Sequence, residues 1–189
     1  MIKSLISVFI VISFVATSQA SPIPPAPNLN VKAYVVMDFD SKMILASSNK
    51  DLTLPPASIT KMMTAYVAFT ELKEKNISLD EEILVSKKAW KTGGSKMFIE
   101  VGKRVKVRDI LQGVITVSGN DASVALAEHI SGDEKTFSTY MNQMATNLGL
   151  RNTNYTNATG LPSDSLYTTA EDISILSRAL IAEFPDLYK

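Results

Sequence analysis

Residues 55–69 read PPASITKMMTAYVAF, a proline-marked approach followed by a helix that is apolar nearly all round. A helix with that pattern is buried in the middle of a domain. Ser58 and Lys61 lie three positions apart, so their side chains share one face and point into the same space. The stretch therefore predicts a buried helix from Ser58 to about Lys75, with a hydroxyl and an amine together at its beginning.

These two side chains suit a serine nucleophile and its base. Ser58 lies in the first turn, where unpaired N–H groups and the helix dipole stabilise negative charge. Burial of Lys61 would lower its pKa from about 10.4 to about 7–8, which leaves an amine able to take the serine proton. On this stretch alone, a plain N-cap serine and a surface lysine that snorkels explain the residues equally well.

A second motif, Ser118-Gly119-Asn120, falls between two mostly apolar helical segments. A loop of that kind can be buried with its polar groups directed into a cleft, where a hydroxyl relays a proton and an amide holds a substrate carbonyl. The alternative is a helix stop followed by an Asn cap. The two motifs together, in this order and spacing, are more specific than either alone, and they favour serine acyl-transfer chemistry.

Two other stretches imitate such motifs. Ser47-Ser48-Asn49-Lys50 matches both Ser-x-x-Lys and Ser-x-Asn, but its residues are typical of a turn. Lys91-Thr92-Gly93 spells a Lys-Thr-Gly motif, but it lies between the two motifs above and has no strand pattern. We interpret both as structural segments without a catalytic role.

Composition excludes several function classes. Nineteen Lys and Arg balance nineteen Asp and Glu, so no nucleic-acid partner is indicated. The absence of cysteine and the single histidine, His129, exclude thiol catalysis, thiolate metal sites and a polyhistidine metal cluster. His129 is interpreted as a surface or helix-end residue, and a Ser-His-Asp triad is only weakly supported. We expect no metal and no cofactor.

The N-terminus has the pattern of a secretory signal. Lys3 precedes an apolar run over residues 5–15, and Ser18-Gln19-Ala20 provides a small-residue cleavage site. The run is too short to span a bilayer. Residues 1–20 are predicted as a cleaved signal peptide, with an uncleaved membrane segment as the alternative, and residues 21–30 as a proline-rich lead-in.

The remaining segments predict strands followed by many helices. Residues 31–38 and 43–47 alternate as a hairpin, and residues 82–85 as a short strand or loop. Helices are predicted over residues 108–117, 120–131, 133–148 and 169–184, with Asn120 or Asp121 capping the second, and Gly132 and Gly149 ending the second and third. That order is typical of an α/β (α+β) fold in which the two ends of the chain share a sheet.

The chain resembles the D-alanyl-D-alanine carboxypeptidases of the low-molecular-mass, type-5 penicillin-binding kind, within the Ser-x-x-Lys acyltransferase superfamily. The segments that carry this resemblance are 55–64, 89–98, 117–122, 147–150 and 159–161. It implies a β-lactamase/transpeptidase-like fold, with a helical cluster packed on an antiparallel sheet. Residues 31–189 would be the N-terminal part of that domain.

The resemblance also implies roles for the motif residues. Ser58 would attack the penultimate D-alanine carbonyl of peptidoglycan stem peptides, with Lys61 as the base, Ser118 as the proton relay and Asn120 as a substrate-binding residue. β-Lactams would acylate the same serine. A periplasmic location, with peripheral membrane attachment through a C-terminal segment, is expected.

The family's catalytic Lys-Thr-Gly strand, the remaining sheet strands and the membrane tail would follow Lys189. We therefore expect residues 21–189 alone to be inactive or nearly so. Three alternatives stay open: a D-Ala-D-Ala endopeptidase, a β-lactamase and a non-catalytic peptidoglycan-binding protein. Class A β-lactamases usually have Ser-Asp-Asn where this chain has Ser118-Gly119-Asn120.

Overall fold

The computed structural model describes Ala26 and residues 28–189. The predicted signal peptide, residues 1–20, and most of the proline-rich segment 21–30 lie outside the described residues. No helix in the described part of the chain combines the length and the apolar character needed to cross a membrane.

The strands form two small antiparallel sheets. Strand β1 (Tyr34–Met37) pairs with β2 (Ile44–Ser48), and the register shifts between Val36 and Met37. This confirms the hairpin predicted near the start of the domain. Strand β3 (Glu82–Leu84) pairs with β4 (Arg104–Lys106), so a 19-residue connection that carries a helix joins them.

The helices make up most of the described chain. They are α1 (Thr60–Lys73), α2 (Lys87–Lys91), α3 (Val107–Thr116), α4 (Asn120–Ser131), α5 (Glu134–Leu148), α6 (Ala170–Glu183) and α7 (Pro185–Tyr188). Local signals explain several ends. The Asp133 carboxylate accepts from the Thr136 N–H before α5, the Thr169 hydroxyl accepts from the Asp172 N–H before α6, and left-handed Gly149 ends α5.

Helix α1 lies at the centre of the core and contacts α3, α4, α5 and α6. Its side chains Met63, Val67 and Ala68 are fully buried, which confirms the burial predicted from its pattern. The surrounding helices add Leu126, Phe137, Met141 and Leu176 to the same cluster. Helix α6 also packs on β1 and so connects the helical cluster to the first sheet.

The helix-rich arrangement with antiparallel sheets agrees with the predicted fold class. Two local expectations need correction. Regular α-helix begins at Thr60, because Ser58 belongs to a preceding 3₁₀ turn, Ala57–Ile59. Neither Asn120 nor Asp121 is the N-cap of α4, since Gly119 occupies that position.

Candidate active site

Ser58 is presented at the surface by the turn that leads into α1. The Ile59 N–H donates to the Pro56 carbonyl at 3.1 Å, which closes the turn. Ala57 has φ +47°, a left-handed conformation that non-glycine residues rarely adopt. The Ser58 side chain is therefore held out of the core by a strained turn rather than by regular helix.

Lys61 lies one turn further on and is 6% exposed. Its Nζ is 3.2 Å from the Ser58 Oγ and 2.7 Å from the Thr159 carbonyl oxygen. The structure thus places the hydroxyl and the amine in hydrogen-bonding contact, as the helical spacing predicted. The second contact, to a backbone carbonyl nearly a hundred residues later in the chain, fixes where the amine points.

Burial changes the acid–base behaviour of this amine. Desolvation lowers the pKa of Lys61 from its ordinary 10.5 to about 8. About a tenth of the amine is then neutral at pH 7, and a neutral amine can accept the proton of a neighbouring hydroxyl. This agrees with the decrease expected from the sequence.

The segment that carries Thr159 lies directly against the Ser58 turn. Gly160 has φ +84°, and a Cβ built on it would lie 1.8 Å from the Ala57 carbonyl oxygen. Sequence reasoning assigned no role to this segment, which entered only through the resemblance at residues 159–161. The pattern in the sequence that indicates this segment is Asn157-x-x-Gly160, which is typical of a tight turn.

Ser118 reaches the same region from the connection between α3 and α4. It has φ +54°, and the neighbouring Gly119 N–H donates to the Gly113 carbonyl at 2.9 Å. The Ser123 hydroxyl donates to the Gly119 carbonyl at 2.7 Å and holds the connection from the other side. These bonds position Ser118 beside the first motif.

Ser58, Lys61 and Ser118 line one cavity of about 320 Å³. The rest of its lining is mostly apolar: Met62, Ala65, Phe69, Val114, Ile115, Leu180, Leu187 and Tyr188. A larger cavity of about 640 Å³, between β1 and α6, contains none of these three polar residues. The smaller cavity therefore brings two hydroxyls and one amine to a single space, the kinds of group that serine acyl transfer uses.

Asn120, the fourth predicted site residue, does not line this cavity. Its Nδ2 donates to the Gly93 carbonyl at 2.7 Å, and its backbone N–H donates to the Ser95 carbonyl at 2.7 Å. The side chain thus ties the second motif to the 93–95 loop. Asp121, for which the sequence suggested only a helix-cap role, continues this connection further along the same loop.

The Asp121 carboxylate is 1% exposed and accepts hydrogen bonds from three successive backbone N–H groups. They are those of Met97 at 2.9 Å, Phe98 at 2.9 Å and Ile99 at 3.2 Å. Because a buried carboxylate needs such partners, Asp121 fixes the backbone of residues 97–99, while Asn120 holds residues 93 and 95.

The residues interpreted as non-catalytic lie apart from this cavity. Lys50 pairs with Glu171 and, at 3.1 Å, with Asp51. Lys91 is exposed at the end of α2, and the Nε2 of His129 lies 3.1 Å from a Glu81 carboxylate oxygen. Among the residues that the structure describes, no cluster of three His, Cys, Asp or Glu side chains could hold a metal.

Comparisons with known proteins show which family the chain is similar to. A family model described as D-alanyl-D-alanine carboxypeptidase matches residues 18–189. The D-alanyl-D-alanine carboxypeptidase DacA of Haemophilus influenzae is 42% identical over 166 residues, covering 86% of this chain and 42% of the relative. The crystal structure of DacD from Francisella tularensis has a TM-score of 0.87 at 43% identity, covering 91% of this chain and 42% of that one.

A structure of penicillin-binding protein D2 from Listeria monocytogenes in its ampicillin-bound form is also similar. It has a TM-score of 0.75 at 29% identity, and the match covers 85% of this chain and 66% of that protein. The chain therefore spans less than half the length of DacA and of the DacD structure, and the matched part includes both predicted motifs. These neighbours confirm the predicted fold class.

We expect Lys61 to titrate near pH 8 in the folded protein, because burial disfavours its ammonium form. Carbon-13 NMR of the lysine Cε resonances measures this, and Lys61→Met identifies the signal. The folded pKa lies below the unfolded value, so the stability penalty is fully present below pH 8 and is relieved as the pH rises towards 10.5. A midpoint near 10.5 would show that the amine is solvated.

Gly160→Ala should displace the turn that presents Ser58. The added Cβ would meet backbone at 1.8 Å, and a residue with a side chain is strained at φ +84°. We expect a melting temperature several degrees lower and altered NMR shifts at residues 57–61. Gly132→Ala is the matched control, since Gly132 has φ +81° but open space around its Cβ position. Equal changes at residues 57–61 in both variants would argue against the close approach.

Proposed function

The chain belongs to the D-alanyl-D-alanine carboxypeptidase family, and on that basis we propose that its protein releases the terminal D-alanine from peptidoglycan stem pentapeptides. The observation that carries the proposal is the Lys61 amine, buried between the Ser58 hydroxyl and the Thr159 carbonyl. Its lowered pKa gives a base next to a hydroxyl that is open to solvent.

The proposed acylation step begins with attack of the Ser58 Oγ on the carbonyl carbon of the penultimate D-alanine. The Ser58 proton passes to the neutral Lys61 Nζ as the new C–O bond forms. The negative oxygen that develops lies at the beginning of α1, where the helix dipole and the Ser58 N–H favour it. The tetrahedral intermediate then collapses.

Collapse breaks the peptide bond to the terminal D-alanine. The leaving nitrogen needs a proton, which Lys61 now holds. We assign the relay of this proton from Lys61 to the leaving nitrogen to the Ser118 hydroxyl, which lines the same cavity. Water then attacks the Ser58 ester and Lys61 takes a proton from that water. As the bond to the Ser58 Oγ breaks, Lys61 returns this proton to that oxygen, and the shortened peptide leaves as a carboxylic acid. Both steps use the same base, as expected for an acyl-enzyme pathway.

Substrate contacts are assigned to Asn120 and to the apolar wall of the cavity. The Asn120 amide sits at the junction of the 93–95 loop and α4, so we propose that it binds a carbonyl of the stem peptide. The apolar lining from Met62 to Leu180 suits the methyl groups of two alanines.

β-Lactams are proposed as inhibitors that acylate Ser58, because they present a reactive carbonyl in a similar shape. A periplasmic location is proposed on the predicted signal peptide and the proposed peptidoglycan substrate. Peripheral membrane attachment of the protein is proposed on the resemblance alone.

Release of D-alanine from a pentapeptide ending in D-Ala-D-Ala, using protein isolated from its native host, tests the proposal. Ser58→Ala should lower kcat by roughly 10⁴-fold or more, because the nucleophile is lost. Ser47→Ala, in the imitation motif, is the matched control and should leave kcat unchanged. The rate should rise with pH through a midpoint of about 8, as Lys61 loses its proton.

The products separate the other functions of this class. Cleavage of cross-linked dimers without D-alanine release would indicate an endopeptidase, and fast turnover of penicillin would indicate a β-lactamase. Binding of stem peptides with no cleavage in wild type and Ser58→Ala alike would indicate a peptidoglycan-binding protein and overturn the proposal.

A further inference from the structure

We propose that Asn157 is a positioning residue for the base Lys61, which it aims through the backbone of Thr159 and Gly160. The expected effect of Asn157 on the rate rests on the proposed function. Its effect on the position of Lys61 does not depend on that function. Asn157 lies outside α1 and does not line the cavity that holds Ser58. Its effect would pass through the carbonyl that receives the Lys61 hydrogen bond.

One oxygen of the Asn157 side chain gathers three donors. Its Oδ1 accepts from the Thr159 N–H at 3.1 Å, the Thr159 hydroxyl at 2.9 Å and the Gly160 N–H at 2.7 Å. Its Nδ2 donates to the Leu161 carbonyl at 3.0 Å. A single side chain therefore closes the turn on both sides of the Thr159 carbonyl.

The residue between Asn157 and Thr159 is fixed to the helices. The Ala158 carbonyl accepts from the Thr64 hydroxyl of α1 at 2.8 Å, and its N–H donates to the Glu134 carboxylate of α5 at 3.2 Å. Since the chain is held at Ala158, the conformation set by Asn157 decides where the next carbonyl points. That carbonyl faces Lys61.

The direction of this carbonyl matters for the chemistry. A neutral lysine amine has two N–H bonds and one lone pair, and it can rotate freely about its last carbon–nitrogen bond. Donation of one N–H to the Thr159 carbonyl, at 2.7 Å, restricts that rotation. The lone pair can then be held towards the Ser58 Oγ, 3.2 Å away, where the proton is taken.

The same turn also supports the nucleophile. Gly160 follows Thr159 and rests against the Ala57 carbonyl so closely that no Cβ fits. Asn157 holds the Gly160 N–H at 2.7 Å, so it fixes this contact too. Nucleophile and base are thus set by one turn that Asn157 closes.

The test compares three variants of the protein as it is isolated from its native host. Asn157→Ala removes the three-donor acceptor, and Asn157→Asp retains an acceptor oxygen of the same reach. Asn142→Ala is the matched control. The Asn142 side chain accepts from the Tyr155 N–H at 2.7 Å and donates to the Tyr155 carbonyl at 2.8 Å, so it also holds the connection between α5 and α6. It makes no hydrogen bond to Thr159 or Gly160. Crystal structures and D-alanine release kinetics are measured for each.

In Asn157→Ala we expect the distance from Lys61 Nζ to the Thr159 carbonyl to increase beyond hydrogen-bonding range. We also expect kcat to fall roughly 10–100-fold with KM little changed, because a misplaced base costs rate rather than substrate binding. Asn157→Asp should recover kcat to within about threefold of wild type. Asn142→Ala should leave the distance from Lys61 Nζ to the Thr159 carbonyl and kcat unchanged, even if it lowers the melting temperature as much as Asn157→Ala does.

Two results would overturn the inference. One is an Asn157→Ala structure with the 2.7 Å contact intact. The other is an equal loss of kcat in Asn142→Ala, which would mean that the connection is simply destabilised. If wild type releases no D-alanine, the proposed function fails, and the crystal structures alone decide whether Asn157 positions Lys61.

Discussion

The hydrogen bonds of one buried amine organise this site. Lys61 is nearly excluded from water, and its Nζ lies between the Ser58 hydroxyl and the Thr159 carbonyl. The decrease of its pKa from 10.5 to about 8 corresponds to a free-energy cost of about 3 kcal/mol for keeping the ammonium form there. The packing of the core must offset that cost. Helix α1 lies at the centre of this packing, because it contacts four other helices.

The segments around the amine hold unfavourable backbone conformations. Ala57 and Ser118, next to or within the two motifs, both have positive φ, and so does Phe98 in the adjoining loop. Each conformation of this kind costs on the order of 1–3 kcal/mol and persists only where surrounding contacts fix it. Here the contacts are visible: Gly160 against Ala57, and the Asp121 carboxylate on three consecutive N–H groups.

Much of the fold was predictable because local patterns determined it. The all-round apolar pattern of α1 predicted a buried helix, and Gly149 predicted the end of α5, whose start was placed one residue early, at Asp133. The contact of Ser58 with Lys61 followed from helical spacing. The assignments of Ser58, Lys61, Ser118 and Asn120 to catalysis and binding remain predictions, although three of these side chains share one cavity.

The features of the site that the sequence did not predict depend on contacts between residues distant in sequence. No periodicity shows that the Thr159 carbonyl meets Lys61, because that contact joins residues 98 positions apart. The same is true of Asp121, whose sequence position suggested a helix cap but whose carboxylate holds a loop more than twenty residues earlier. A backbone carbonyl that binds a distant side chain leaves almost no signal in sequence composition or spacing. The same holds for a side chain that binds the backbone of a distant loop.

The central claim is that Ser58 is the nucleophile of this site, and the most direct test is covalent. The protein is isolated from its native host, treated with a penicillin, and its intact mass is compared with that of the untreated protein. We expect one adduct of the drug's mass, mapped by peptide analysis to Ser58, and none in Ser58→Ala. An unchanged mass, or an adduct that persists in Ser58→Ala, would contradict the assignment of Ser58 as the nucleophile.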